Sequence, residues 1–168
     1  MVATAQSANA RDLWECLEDV PDPELPSISI VALGIVRTVE RREDGSWAVV
    51  ITPTYSGCPA MGAIAEDITT AVDAAVSAPC TVEVQLSPPW TTDWIREDAR
   101  QEMQRNGIVP PALRAAGRLV PIRAKQALEC PRCGSRSTER VSRFGATACK
   151  SLHRCLECLE PFEHFKAI

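Results

Sequence analysis

The chain has 168 residues, 45% hydrophobic and 24% charged, with 8 cysteines, 2 histidines and a net charge of −4. That length suits one ordinary domain plus a small module, and no apolar run approaches the ~20 residues of a membrane-spanning helix, which argues against a membrane protein. Residues 1–129 carry 11 basic and 18 acidic side chains and residues 130–168 carry 7 and 4, a balance that argues against strong binding to phosphate backbones.

The first nine residues are small and polar and lack the basic start and apolar stretch of a secretory signal. The chain is therefore expected in the cytoplasm, with reduced thiols rather than disulfides. Leu13, Leu17 and Val20 fall at helical spacing, predicting a short amphipathic helix over 11–20 that Pro21 ends. Pro21-Asp-Pro-Glu-Leu-Pro26 reads as an ordered turn or loop, because three prolines remove donors and restrict their neighbours. Residues 28–40 are rich in Ile and Val, interrupted by Gly34, and Glu43-Asp-Gly-Ser46 reads as a hairpin turn before a second strand over 47–52. Met61, Ile64, Ile68 and Val72 form the stripe of the main packing helix, 59–76. Residues 81–86 alternate as a strand that Ser87-Pro-Pro89 ends. An exposed helix is predicted over 93–106, stopped at Asn106-Gly107. Residues 108–128, with three prolines and little periodicity, read as a linker packing partly on its neighbours. This order predicts an α+β fold, a small antiparallel or mixed sheet with packed helices over residues 1–106, then a linker over 107–129 and a metal ribbon over 130–168.

The ribbon rests on Cys130-Pro-Arg-Cys133 and Cys155-Leu-Glu-Cys158, separated by 21 residues. Each C-x2-C turn aims two thiolates at one ion, and two turns close a tetrahedral shell, the spacing of a zinc ribbon. Four protein ligands leave no open position, so one structural zinc ion per chain is expected. At 39 residues the segment is below the ~40 at which an apolar core suffices, and metal would supply much of its folding free energy. Gly134 suits the bend after the first pair. Cys149, His153 and His164 lie outside the C-x2-C turns and are left out of the shell, with a swap of Cys149 for Cys155 as the alternative. Four thiolates and one zinc ion leave the ribbon near +1, too little for nucleic acid.

Gly57-Cys58-Pro59 stands where the second strand ends and the main helix begins, so Pro59 suits the first helical position and Cys58 the N-cap. There the free amides and the helix dipole would favour the thiolate, making Cys58 a nucleophile and a soft-metal ligand. The alternative is a small buried residue at a helix start. Asp22 and Glu24 are carboxylates on a stiff backbone, suited to a hard metal or a partner, or else simply solvated turn acids. Cys16 and Cys80 read as core fillers.

Asp22-Pro-Glu24 with Pro26, Ile30-Val-Ala-Leu-Gly-Ile-Val36 and Thr54-Tyr-Ser-Gly-Cys-Pro59 together resemble the iron-sulfur assembly domain shared by SufT-like proteins and their eukaryotic cytosolic relatives. Pro89-Trp-Thr-Thr-Asp-Trp-Ile95, Gly107-Ile-Val-Pro-Pro111, Phe144-Gly-Ala-Thr-Ala-Cys-Lys150 and Glu160-Pro-Phe-Glu-His-Phe-Lys166 resemble a narrower family, the PaaD (or PaaJ) component of the bacterial phenylacetyl-CoA oxygenase or epoxidase system. The resemblance spans about residues 11–168 and implies an iron-sulfur assembly-like domain followed by a zinc ribbon. It further implies an accessory protein of a di-iron oxygenase in aerobic phenylacetate breakdown, not an enzyme, that matures or loads a metal centre. The client would be the iron-sulfur cluster of the reductase subunit or the di-iron site of the oxygenase subunit. Carried over, Cys58 matches the reactive cysteine, where iron or an iron-sulfur cluster would sit transiently. Asp22 and Glu24 match the acidic loop, and Cys130, Cys133, Cys155 and Cys158 the structural zinc site. Both histidines fall in the ribbon, so Glu-x-x-His di-iron ligands are missing, and there is no Gly-rich nucleotide turn. A homodimer is left open. A second hypothesis is a stoichiometric structural or regulatory subunit docking through the ribbon and the Trp90/Trp94 segment. A nucleic-acid-binding ribbon is disfavoured by charge, and a thiol oxidoreductase by the lack of a C-x-x-C partner for Cys58.

Overall fold

In the computed structural model, which describes residues 9–112 and 127–166, Asn9 opens helix α1 (Ala10–Leu17) with a capping box. Its side chain accepts from the amides of Arg11 and Asp12 at 2.8 and 3.2 Å, and the Asp12 carboxylate accepts from the Asn9 amide at 2.9 Å. The Asn9 and Arg11 amides gain acceptors in this way, and the Asp12 amide, which also donates to the Asn9 carbonyl at 3.1 Å, gains a second one. The segment after α1 is more regular than the loop its prolines predict, because β1 (Pro21–Asp22) and β2 (Leu25–Ser29) pair as a small antiparallel hairpin. Pro21, Pro23 and Pro26 are all exposed, as suits residues without a backbone donor.

The Ile/Val-rich stretch does not form one strand. The Leu33 amide donates to the Ser29 carbonyl at 3.0 Å and that of Ile35 to Ile30 at 2.9 Å, closing a tight turn. Gly34 sits there at φ 72, a conformation costing other residues about 1–2 kcal/mol. The first two residues of the stretch end β2, and the strand after the turn is β3 (Val36–Arg41), antiparallel to β4 (Trp47–Ile51). Helix α2 (Met61–Ala75) then carries the chain to β5 (Cys80–Val84), parallel to β4, giving a mixed sheet of order β3-β4-β5. Ile64, Ile68 and Val72 of α2 are fully buried, as are Leu13 and Leu17 of α1 and Val49 and Ile51 of β4. Trp90 is also buried, its indole N–H donating to the Leu33 carbonyl at 3.0 Å. It is a core residue rather than a surface anchor. Cys16 and Cys80 are only partly buried, so they do not fill the core as expected.

The chain divides into two compact units, Met1–Trp90 and Thr91–Ile168. The second unit begins with a 3-10 turn (Thr92–Trp94) and helix α3 (Glu97–Arg105). This helix is not simply exposed, for Ala99, Arg100 and Met103 are buried. The Arg100 guanidinium donates to the carbonyls of Pro111 at 2.7 Å, Ile95 at 3.4 Å and Thr92. A four-stranded sheet of order β6-β9-β8-β7 follows, made of β6 (Ile108–Val109), β7 (Thr138–Ser142), β8 (Lys150–Cys155) and β9 (Pro161–Phe165). β6 comes from the expected linker yet pairs in parallel with β9. Val109 and Leu128 pack against the buried Cys130, Cys155 and Phe162. Residues 113–126 of that linker lie outside the described residues. Among the described residues no helix is long and apolar enough to cross a membrane.

Ile68→Ala deletes a fully buried side chain from the face of α2. It should lower the unfolding free energy by about 2–5 kcal/mol in urea titration followed by circular dichroism.

Candidate functional site

The two C-x2-C turns are structural copies. The Cys130 amide donates to the Ser135 carbonyl at 2.9 Å, and five residues again separate Cys155 from its acceptor, the Glu160 carbonyl, at 3.0 Å. The residue after each second cysteine is left-handed, Gly134 at φ 75 and Leu159 at φ 62. A glycine signals this in the first turn, and nothing in the sequence signals it in the second. The sulfurs of Cys130, Cys133, Cys155 and Cys158 lie within 4.8 Å of one another. Cys130 Sγ is 3.7 Å from Cys158 Sγ and Cys133 Sγ is 3.6 Å from Cys155 Sγ. A tetrahedral ion with metal–sulfur bonds of ~2.3 Å sets its sulfurs ~3.8 Å apart. The cage thus fits a metal that takes four thiolates. Amides of Cys158 and Glu157 aimed at the Cys155 sulfur help bring its pKa down to about 7. Cys149 is buried outside the cage, its sulfur 2.9 Å from Thr147 Oγ1. His153 Nε2 lies 3.0 Å and His164 Nδ1 3.4 Å from Ser151 Oγ. Burial, with His153 adding to it, brings His164 down to about 4.

The second site lies in the loop from β4 to α2. Thr52 and Thr54 are buried there, and the Cys58 amide donates to the Tyr55 carbonyl at 3.1 Å. The helix starts later than Pro59 predicts, with Ala60 as the N-cap residue and no side-chain cap. Cys58 therefore precedes the helix instead of capping it. Its electrostatics are also reversed. Burial pushes the thiol above its ordinary pKa, the Ala60 amide pulls it partly back, and the charges of Glu24 and Asp22 push it up again. The two carboxylates thus share a neighbourhood with the partly buried Cys58, and they disfavour its thiolate. Asp22 is itself buried, and its Oδ1 accepts from the amides of Glu24 and Leu25 at 2.9 Å each. It pins the hairpin tip. Among the described residues, the four ribbon cysteines are the group whose ligand atoms converge as a preformed cage. Cys58, Asp22 and Glu24 are neighbours without that convergence.

Residues 10–86 match a family described as iron-sulfur cluster assembly protein, and residues 116–166 match the PaaD zinc beta ribbon domain. The chain is 43% identical over 171 residues to a protein of Escherichia coli (strain K12) provisionally named as the D component of 1,2-phenylacetyl-CoA epoxidase, covering 99% of this chain and 98% of that protein. The chain belongs to the PaaD family. Its PaaD-type ribbon follows an α+β domain with relatives of its own. The Fe-S protein maturation auxiliary factor YitW of Bacillus subtilis (strain 168) is 35% identical over 89 residues, 52% of this chain and 86% of that protein. The solved domain of unknown function DUF59 from Bacillus anthracis superposes with a TM-score of 0.52 at 31% identity, covering 56% of this chain and 90% of that one. The α+β class and the ribbon read from the sequence are those of the family and of the structure.

Two measurements probe these geometries. Gly134→Ala should cost about 1–2 kcal/mol in thermal unfolding, whereas Leu159→Gly should cost nothing or stabilise, because Leu159 is left-handed and 66% exposed. Glu24→Gln removes one of the charges that raise the Cys58 pKa. It should speed iodoacetamide alkylation of Cys58 at pH 8, read by peptide-resolved mass spectrometry.

Proposed function

We propose that this PaaD-family chain is an accessory factor, not an enzyme, that handles iron or an iron-sulfur cluster for a client subunit of the phenylacetyl-CoA oxygenase system. The observation that carries this reading is the placement of the partly buried Cys58 in the field of Glu24 and Asp22. Two carboxylates beside a thiol make a site that repels its own thiolate and is relieved by a cation. A borderline metal ion suits one sulfur and one or two oxygens, and such a set leaves positions open for transfer to another protein. Arrival of the cargo would favour loss of the Cys58 proton, and departure would restore it. The raised pKa therefore serves reversible handling better than tight retention.

The ribbon has the complementary task. Cys130, Cys133, Cys155 and Cys158 would hold zinc, which closes their shell and supplies folding free energy instead of reactivity. The cytoplasm, where such thiols stay reduced, is the matching compartment. A second reading, a stoichiometric structural subunit, draws on Phe144, Leu156 and Leu159, which are 61%, 48% and 66% exposed on the ribbon. Co-purification with the oxygenase at a fixed ratio would favour it, and transient association would favour delivery.

The experiment compares wild type with Cys58→Ala, both purified anaerobically. Zinc should remain near one per chain in both, iron reconstituted on the protein should drop in the variant, and client subunits produced alongside it should lose metal content and activity. Clients with full metal content would sink the role of Cys58.

A further inference from the structure

Loop 143–149 of the ribbon holds an aromatic ring out in solvent. Phe144 is 61% exposed, and the backbone beneath it is clamped from several sides. Glu163 accepts from the Ala146 amide at 2.6 Å and pairs with the buried Lys150 Nζ at 2.9 Å. The Gly145 amide donates to the Lys150 carbonyl at 2.9 Å, and a Cβ on Gly145 would collide with the Glu163 carboxylate held in that clamp. Lys166 Nζ stands 4.7 Å from the Phe144 ring centroid and donates to the Arg143 carbonyl at 3.4 Å. A fixed loop removes much of the ordering cost of presenting an anchor.

The surroundings of the ring are cationic. Arg140 and Arg143 are exposed on the same segment, with Val141 56% exposed between them. The nearby carboxylates are committed elsewhere, Glu139 to Arg154 and Glu163 to Lys150. Residues 113–126 contain four cations and no carboxylate, so charge makes that segment a poor match for this surface.

We propose that Phe144, with Val141, Arg143 and Lys166, is the docking surface for the client protein, which presents an apolar recess rimmed by Asp and Glu. This rests on the reading that the chain serves a client subunit, and it names where and by what chemistry the client is held. The ring fills the recess and the cations meet the rim, an arrangement in which one aromatic anchor carries much of the affinity and the charges set the association rate.

The test measures binding of the full-length zinc-loaded chain to each separately purified oxygenase and reductase subunit by surface plasmon resonance at two salt concentrations. Phe144→Ala should weaken binding at least about tenfold. The Arg143→Glu/Lys166→Glu pair should slow association and flatten its salt dependence. Zinc content and circular dichroism check folding, and if the alanine variant fails that check the charge-reversed pair carries the test. Wild-type binding by both surface variants would overturn this surface and leave the delivery reading standing. Binding of wild type to none of the subunits would overturn both. Self-association abolished by Phe144→Ala would make a second copy the occupant, overturning the client assignment.

Discussion

The convergence of four sulfurs is the constraint from which the C-terminal unit is built. Each C-x2-C turn is set by an amide-to-carbonyl bond across five residues and by one left-handed residue. β7 leaves the first turn, β8 enters the second and β9 leaves it. Fixing the sulfurs therefore also fixes where the strands start. Cys130 and Cys155 are buried with Phe162, so the inner half of the cage belongs to the apolar cluster while Cys133 and Cys158 stay at the surface. A segment this small gains from such a cage what a larger domain gains from apolar area.

Cys58 obeys the opposite logic. In the ribbon, backbone amides point at the Cys155 sulfur, and a bound divalent ion would balance the four thiolates and close the shell. Around Cys58, Asp22 and Glu24 add negative charge. Burial and Coulomb repulsion both keep the thiol protonated. If this neighbourhood handles iron as proposed, its incomplete ligand set would suit exchange better than storage.

The sequence made legible what depends on local spacing. The α2 stripe, the β3–β4 hairpin and the four cage cysteines follow from periods and intervals within a short window, and Cys58, Asp22 and Glu24 were found as separate motifs that the fold places in one neighbourhood. What escaped depends on backbone dihedrals or on distant partners. Ala60 begins α2 by its backbone angles without a capping side chain, so Pro59 gave a false start. Gly34 is legible as an interruption of the Ile/Val run, but the turn that the residues before it close is not. Ile108 and Val109 become a strand because β9 offers them an edge. Leu159 adopts the conformation that Gly134 advertises, because the turn geometry outweighs the preference of the residue.

Charge separates the units as clearly as packing does. Met1–Trp90 carries 4 basic and 13 acidic side chains, and Thr91–Ile168 carries 14 and 9. Four cage thiolates and a divalent ion take the second unit from +5 to about +3, still opposite in sign to the first. A protein with an acidic face is thus repelled more by the unit that holds Cys58 than by the unit that holds the ribbon. The same acidity raises the local concentration of cations around Cys58. The two fields would work against each other on one surface; on the proposed reading, the acidic unit would gather the cargo while the ribbon unit engages the recipient.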